Sequence, residues 1–481
     1  MVASEVYPYS KTGGLGDAAG ALGDALARRG HDVTVITPLY ATIDREAHGL
    51  QPLGRGAVAL FPFGPVWADL WRSTKGEARV LFVDQPRYFD RPYLYDPPGG
   101  HYYDNAERFA FLCWAALDAM AGEPEPVDVL HAHDWQTALV PYFRRHMPQP
   151  QFARATSVLT IHNLAHQGNF PVEASAFLGP TAWEDYLSQR AEFHGQWSFL
   201  KMGIIHADAI NTVSPTHARE ILTPEFGFGM DGALRMRSPD LVGILNGADY
   251  DVWNPETDAV IPARFSARNR KPKVICRAEL RKRFGLPELP GVPVIGMVGR
   301  LSSQKGWDLI GAVLDRIASL PLQLAILGSG DPRYEHMLHE ARHRHPERIA
   351  FHSGYSEDLA HWITAGSDMF LMPSAYEPCG LSQLYAMRYG TIPIVHATGG
   401  LEDSVTEVEE GKREGDGFKF RHYAPDALIG SLERALALFA RPREWSMLVS
   451  RAMGQEFSWA RAAEEYEHLF DRTLARRGRE R

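Results

Sequence analysis

The chain has 481 residues, 45% of them hydrophobic and 23% charged, enough for two or three domains that each bury a core. A formal charge of −9, with 50 basic against 59 acidic residues spread along the chain, excludes a general nucleic-acid binder, which needs a basic face to displace counterions. Cys113, Cys276 and Cys379 have neither disulfide nor metal spacing, which fits a cytoplasmic setting, and neither a membrane-spanning apolar run nor a signal peptide is found.

Taken in chain order, Ala18, Leu22, Ala25 and Leu26 predict a helix over 17–29, stopped by Gly30. Residues 32–38 read as a buried strand ending at a proline, and 127–132 and 157–162 as further inner strands that run into polar residues. Short apolar strands alternating with helices predict a parallel, doubly wound sheet, which binds ligands beyond the C-terminal ends of its strands. Residues 246–283 break the pattern, with an Arg- and Lys-rich run at 263–273. Alternation then restarts, with strands at 293–299, 322–327, 368–372 and 392–395 and helices at 306–319 and 380–389. Phe457, Ala463, Tyr466, Leu469 and Phe470 share one side of a terminal amphipathic helix over 457–474, and the basic end 476–481 reads as solvated and frayed. The fold class is therefore α/β, with two Rossmann-like doubly wound domains. Two such domains facing each other make a deep cleft, an architecture that assigns no function by itself.

Four segments carry chemistry. Lys11-Thr12-Gly13-Gly14-Leu15-Gly16-Asp17 sits at a strand-to-helix turn. Its glycines let the backbone approach a ligand and a helix N-terminus favours an anion, although a plain tight turn has the same pattern. Neither the Walker spacing nor a dinucleotide fingerprint is present. Arg300 and Lys305 follow an apolar strand, where two cations can grip a diphosphate or simply lie on the surface. Glu377 stands on a proline-stiffened loop before a helix opening at Gly380; it can face a cationic sugar centre or cap a turn, and the N–H groups near Leu381 and Ser382 can bind phosphate. His131, His133 and Asp134 are close together but lack further ligands, so no metal is expected, and His162 ends another strand.

Together these segments resemble the bacterial glycogen synthases and plant starch synthases, which have the twin-Rossmann fold known as GT-B. The resemblance covers nearly the whole chain, including 104–109, 223–227, 246–255, 398–401 and 457–459. It implies an N-terminal catalytic domain on the acceptor side over 1–250, a nucleotide-sugar domain over 251–455, and a C-terminal helix over 456–481 that packs back on the first domain. It also implies roles. Lys11, Gly13, Gly14 and Asp17 line the donor site, Arg300 and Lys305 hold the diphosphate, and Tyr355 stacks on the nucleobase. Glu377 lies beneath the transferred glucose, His162 and Asn246 contact that sugar, Asp134 is an acid near the reaction centre, and Gly380, Leu381 and Ser382 open the helix that faces the phosphates. Gly23, in place of a proline, and His396, in place of an arginine, depart from the family without touching the chemistry.

The implied reaction is retaining transfer of glucose from ADP-glucose to the non-reducing end of an alpha-1,4-glucan such as glycogen, with no cofactor and no obligatory metal. Rival readings are a UDP-glucose-using synthase, a glucan-binding pseudoenzyme and a nicotinamide oxidoreductase. The missing dinucleotide fingerprint counts against the last, and the intact Lys11, Arg300, Lys305 and Glu377 against the pseudoenzyme. Relatives start with a few more residues, three or four of them apolar, so a first strand of almost no length is expected beside 33–36 and a translation start upstream of Met1 is implied.

Overall fold

A computed structural model describes residues 1–97, 100–146, 149–409 and 414–479. The chain divides into two compact units, unit 1 from Met1–Asn246 with Trp459–Arg481 and unit 2 from Gly247–Ser458. No helix among the described residues is long and apolar enough to cross a membrane.

Unit 1 starts with the helix α1 (Gly14–Arg28) and the strands β1 (Thr34–Pro38), β2 (Leu50–Phe61), β3 (Gly64–Ser73) and β4 (Arg79–Asp84). After the helix α2 (Asn105–Ala121) come β5 (Val129–His133) and β6 (Thr156–Ile161). A small antiparallel sheet of β7 (Asn169–Phe170), β8 (Glu192–Phe193) and β9 (Gln196–Ser198) precedes β10 (Ala209–Thr212) and β11 (Leu241–Gly243). The main strands run β2-β3-β4-β1 and β5-β6-β10-β11. The chain start joins these halves, because Val2 forms parallel bridges to Ile36 of β1 and Ala132 of β5. Met1 to Ala3 thus lie at the centre of the sheet, with pairing limited to Val2.

The sheet is not wholly parallel, which corrects the sequence reading. β3 pairs antiparallel with both β2 and β4. Only Pro62 and Phe63 separate β2 from β3, and a link that short can join only antiparallel strands. α1 also starts three residues earlier than its apolar spacing indicates.

Unit 2 has the helix α3 (Lys273–Phe284), β12 (Val294–Val298), α4 (Trp307–Ser319), β13 (Gln323–Gly328), β14 (Ile349–Ser353), β15 (Met369–Met372), α5 (Ser382–Arg388), β16 (Ile392–His396), β17 (Phe418–Phe420) and α6 (Pro442–Met453). Its sheet is parallel throughout, in the order β14-β13-β12-β15-β16-β17. The inner strands are apolar through their middles because both faces are covered; Ile295, Leu324, Ile326, Met369 and Ile394 all belong to the buried core. The winding direction reverses between β12 and β15, the position where open α/β sheets bind ligands.

The chain then returns to unit 1 as α7 (Trp459–Arg479). Trp459, Ala463, Tyr466 and Leu469 pack with Ala18, Leu22 and Leu26 of α1. Tyr466 Oη accepts a hydrogen bond from Asn211 Nδ2 at 3.0 Å. The frayed tail of the sequence reading is corrected up to Arg479: Arg476 pairs with Asp240 at 2.7 Å and Arg477 with Asp208 at 3.4 Å, both within a continuing helix. Residues 480 and 481 lie outside the described residues.

Candidate active site

In unit 2, the loops after β12 and β15 meet at the switch point. Ala375 N donates to Gln304 O at 2.9 Å, tying them together. Across this tie, Lys305 Nζ lies 2.7 Å from Glu377 Oε2. Glu377 is buried, and its Oε2 also accepts from Ser374 Oγ at 2.9 Å. Arg300 is exposed, while its carbonyl accepts from Trp307 Nε1 at 3.1 Å, so the backbone beneath it is fixed. The Glu377 carbonyl accepts from Gly400 N at 3.1 Å. Gly399 makes this approach possible: at φ 45° a Cβ there would collide with Glu377 O.

One expectation about this region is corrected. The helix predicted from Gly380 starts at Ser382, because Gly380 is left-handed at φ 74° and Leu381 is the cap residue. His396 is buried and its Nδ1 donates to Ser374 O at 2.7 Å, the carbonyl of the residue whose hydroxyl holds Glu377. Gly23 packs in α1, where a Cβ would press on Val35. Tyr355 follows β14 on a turn and is 77% exposed.

In unit 1, the turn before α1 is organised by a residue the sequence reading did not single out. Glu5 is buried three residues after the bridging Val2. Its carboxylate accepts from Thr12 N, from Thr12 Oγ1 at 2.7 Å, from Gly13 N at 3.4 Å and from Tyr95 Oη at 2.6 Å. The turn is thereby pinned, with Gly13 as the cap and Gly14 as the first residue of α1. Lys11 Nζ pairs with Asp17 at 2.8 Å and lies 5.4 Å from the centre of the Tyr7 ring.

The ends of β5 and β6 bring Asp134 and His162 together. Asp134 is held at φ 57° and its Oδ1 accepts from His162 N at 2.6 Å. His133 Nδ1 lies 3.0 Å from His162 Nε2, and His131 Nε2 lies 2.6 Å from Thr160 Oγ1. Burial pushes the Asp134 carboxyl up to about 7 against the pull of these backbone N–H groups. Burial lowers His162 to about 3 and takes His131 and His133 well below the usual imidazole range. All three rings are neutral at pH 7 and act as hydrogen-bonding groups. Asn246, the last residue of unit 1 before the crossing, is buried. No group of three His, Cys, Asp or Glu among the described residues is arranged to hold a metal ion.

Residues 1–236 match the family model for the starch synthase catalytic domain, and 278–446 that for glycosyl transferases group 1. A glycogen synthase of Anaeromyxobacter sp. (strain Fw109-5) is 48% identical over 99% of both chains. The chain belongs to the glycogen synthase and starch synthase family. Within that family, glycogen synthase 1 of Geobacter sulfurreducens is 43% identical over 99% of this chain and 96% of its own. The catalytic domain of starch synthase IV from Arabidopsis thaliana, solved bound to ADP and acarbose, superposes with a TM-score of 0.91 at 32% identity over 98% of both chains. A sucrose-phosphate synthase of Thermosynechococcus elongatus, 18% identical with a TM-score of 0.60, shares the fold alone. As a member of the glycogen synthase family, the protein is a glycosyltransferase of the GT-B class that serves glycogen synthesis.

Glu5 and Ser374 are the neighbours of the site that motif reading missed. The available signal was weak: an acid shortly before the glycine-rich turn for Glu5, and a hydroxyl three residues before the key carboxylate for Ser374.

Proposed function

We propose that the protein transfers glucose from ADP-glucose to the non-reducing end of an alpha-1,4-glucan, with retention of anomeric configuration. The observation that carries this reading is the Lys305–Glu377 contact of 2.7 Å at the switch point of unit 2. A cation for the leaving diphosphate and a carboxylate for the sugar are held there against each other. The ADP and acarbose on the Arabidopsis relative support a nucleotide donor and a glucan acceptor.

Breaking the bond from the anomeric carbon to the diphosphate puts negative charge on phosphate and positive charge on the sugar. Arg300 and Lys305, with the N–H groups at Gly380, Leu381 and Ser382, stabilise the first, and Glu377 the second. Lys305 then exchanges part of its contact with Glu377 for phosphate oxygens, freeing the carboxylate to face the sugar. Tyr355 stacks on the base. On unit 1, Lys11, Gly13, Gly14 and Asp17 serve the donor, His162 and Asn246 contact the glucose, and Asp134 is the acid near the reaction centre. Arg300 and Lys305 supply the positive charge that a divalent ion provides elsewhere, so EDTA leaves activity intact. The three cysteines are free, which fits a cytoplasmic setting.

The test is incubation with a glycogen primer and either ADP-glucose or UDP-glucose, following nucleotide release and the anomeric signal of the new linkage by NMR. Higher kcat/KM with ADP-glucose and an alpha linkage are expected. Equal or higher kcat/KM with UDP-glucose refutes the donor, and a beta linkage refutes retention.

A further inference from the structure

Unit 2 also has a groove of about 460 Å³ whose lining includes none of the residues assigned above to the donor. One wall comes from the turn before α3 and from α3 itself, and the other from the first turns of α6, with Asp368 at the base. Most of the turn wall, residues 267–277, falls between the two family-model matches.

The charge in this groove is one-sided. Arg268, Arg270, Lys271, Lys273 and Arg277 line it against a single carboxylate, Asp368. That carboxylate is already committed, with Oδ1 3.0 Å from Arg277 Nη1 and Oδ2 accepting from Val294 N at 3.0 Å. Lys273 Nζ donates to Ala365 O at 2.8 Å, Tyr389 O at 3.0 Å and Thr391 Oγ1 at 2.8 Å, all neutral acceptors. Its charge is therefore solvated by dipoles, and burial lowers it to about 8, with the Asp368 carboxylate offsetting part of that fall. Arg268 and Lys271 enter no ion pair among the described residues. Grouped cations repel one another, and a bound anion relieves that repulsion.

The turn and Arg270 are also held in place. Ser266 and Asn269 exchange backbone hydrogen bonds at 3.0 and 3.1 Å, closing the turn that carries Arg268. Arg270 spans to the opposite wall, donating to Ser446 O at 2.9 Å, Ser446 Oγ at 2.8 Å and Ser450 Oγ at 2.9 Å. The indole of Trp445, half-buried, forms part of that wall. The volume falls within the range of about 300–1,000 Å³ common for small-molecule sites.

We propose that this groove binds a small sugar phosphate, its phosphate among Arg268, Lys271 and Arg277 and its sugar face against Trp445. A phosphate monoester brings close to two negative charges and three acceptor oxygens, which several cations can share as one carboxylate cannot. The site is separate from the donor residues, so it stands whether or not the donor is ADP-glucose.

Calorimetric titration of the full chain with glucose 1-phosphate, inorganic phosphate and glucose tests this. With excess ADP present to compete at the donor residues, glucose 1-phosphate is expected to bind with an affinity that falls at least tenfold in Arg268→Ala/Lys271→Ala. Both replaced residues are exposed, so an unaltered melting temperature confirms that the double variant is folded. Inorganic phosphate should bind more weakly and glucose not at all. The proposal is overturned if glucose 1-phosphate does not bind, if the double variant keeps its affinity, or if inorganic phosphate binds equally well.

Discussion

Lys305 and Glu377 carry the sharpest expectations because each is the other's partner. Glu377 is asked to meet positive charge that exists only in the transition state, so Glu377→Ala should lower kcat by roughly 10²–10³ with little change in donor KM. Steady-state kinetics checks this, and a near-normal kcat refutes the role. Lys305→Ala should lower kcat and raise KM together, since the diphosphate is charged before and during transfer. It also leaves the buried Glu377 carboxylate with Ser374 Oγ as its remaining side-chain partner. The loss of stability, seen in thermal melts, should be about 2 kcal/mol once solvent around the half-buried lysine is allowed for. Asp134 gives a pH signature. Its carboxyl rises from 3.8 to about 7 through burial, so as pH climbs between these values the unfolded chain releases a proton that the native state keeps. The Asp134 contribution to stability is full below the lower value and is lost as pH rises to the upper one. Asp134→Asn, which can still accept from His162 N, should therefore gain stability relative to the parent between pH 4 and 7 and hold that gain above, up to about 4 kcal/mol. A stability difference that does not change with pH contradicts this.

At the scale of elements, the loops of unit 2 work because two glycines let backbones approach or turn where a side chain would not fit. Gly399→Ala should drive the Thr398 turn away from Glu377 O and displace the carboxylate, so activity should fall at least tenfold while the far-ultraviolet circular dichroism stays native. Full activity in this variant would mean that the loop adapts at no cost. The elements also show what a linear reading can reach. β12, β13 and β16 were legible because strands covered on both faces carry continuous apolar runs, broken here only by Gln323 and His396 at strand ends. β2 and β3 were not, since their exposed Leu60 and Trp67 alternate with buried Ala59 and Ala68 around a proline-containing link. Arg300, Lys305 and Glu377 stood out as charges after apolar strands. Their pairing did not, because Lys305 and Glu377 are 72 positions apart and are joined by the sheet order. Glu5 was hidden in the same way: its role depends on Tyr95, 90 positions later.

For the whole molecule, the course of the chain matters more than any single contact. Unit 1 is built from both ends of the sequence, and α7 seals a face of α1 that is otherwise apolar. Ending the chain after Ser458 removes the buried side chains of Trp459, Tyr466 and Leu469, each worth about 1.5–3 kcal/mol, together with the Tyr466 contact to Asn211. In the shortened protein, limited proteolysis should cut within unit 1 first and spare unit 2; equal resistance of both units would show that α7 is dispensable. The same route has a consequence during biosynthesis. A ribosome adding about 5–20 residues per second needs on the order of 10–40 s to make unit 2. Throughout that interval the nascent unit 1 waits with α1 uncovered, a window in which chaperones have an apolar surface to hold. Unit 2, whose strands are contiguous in sequence, can mature first, so the part of the enzyme begun first is finished last.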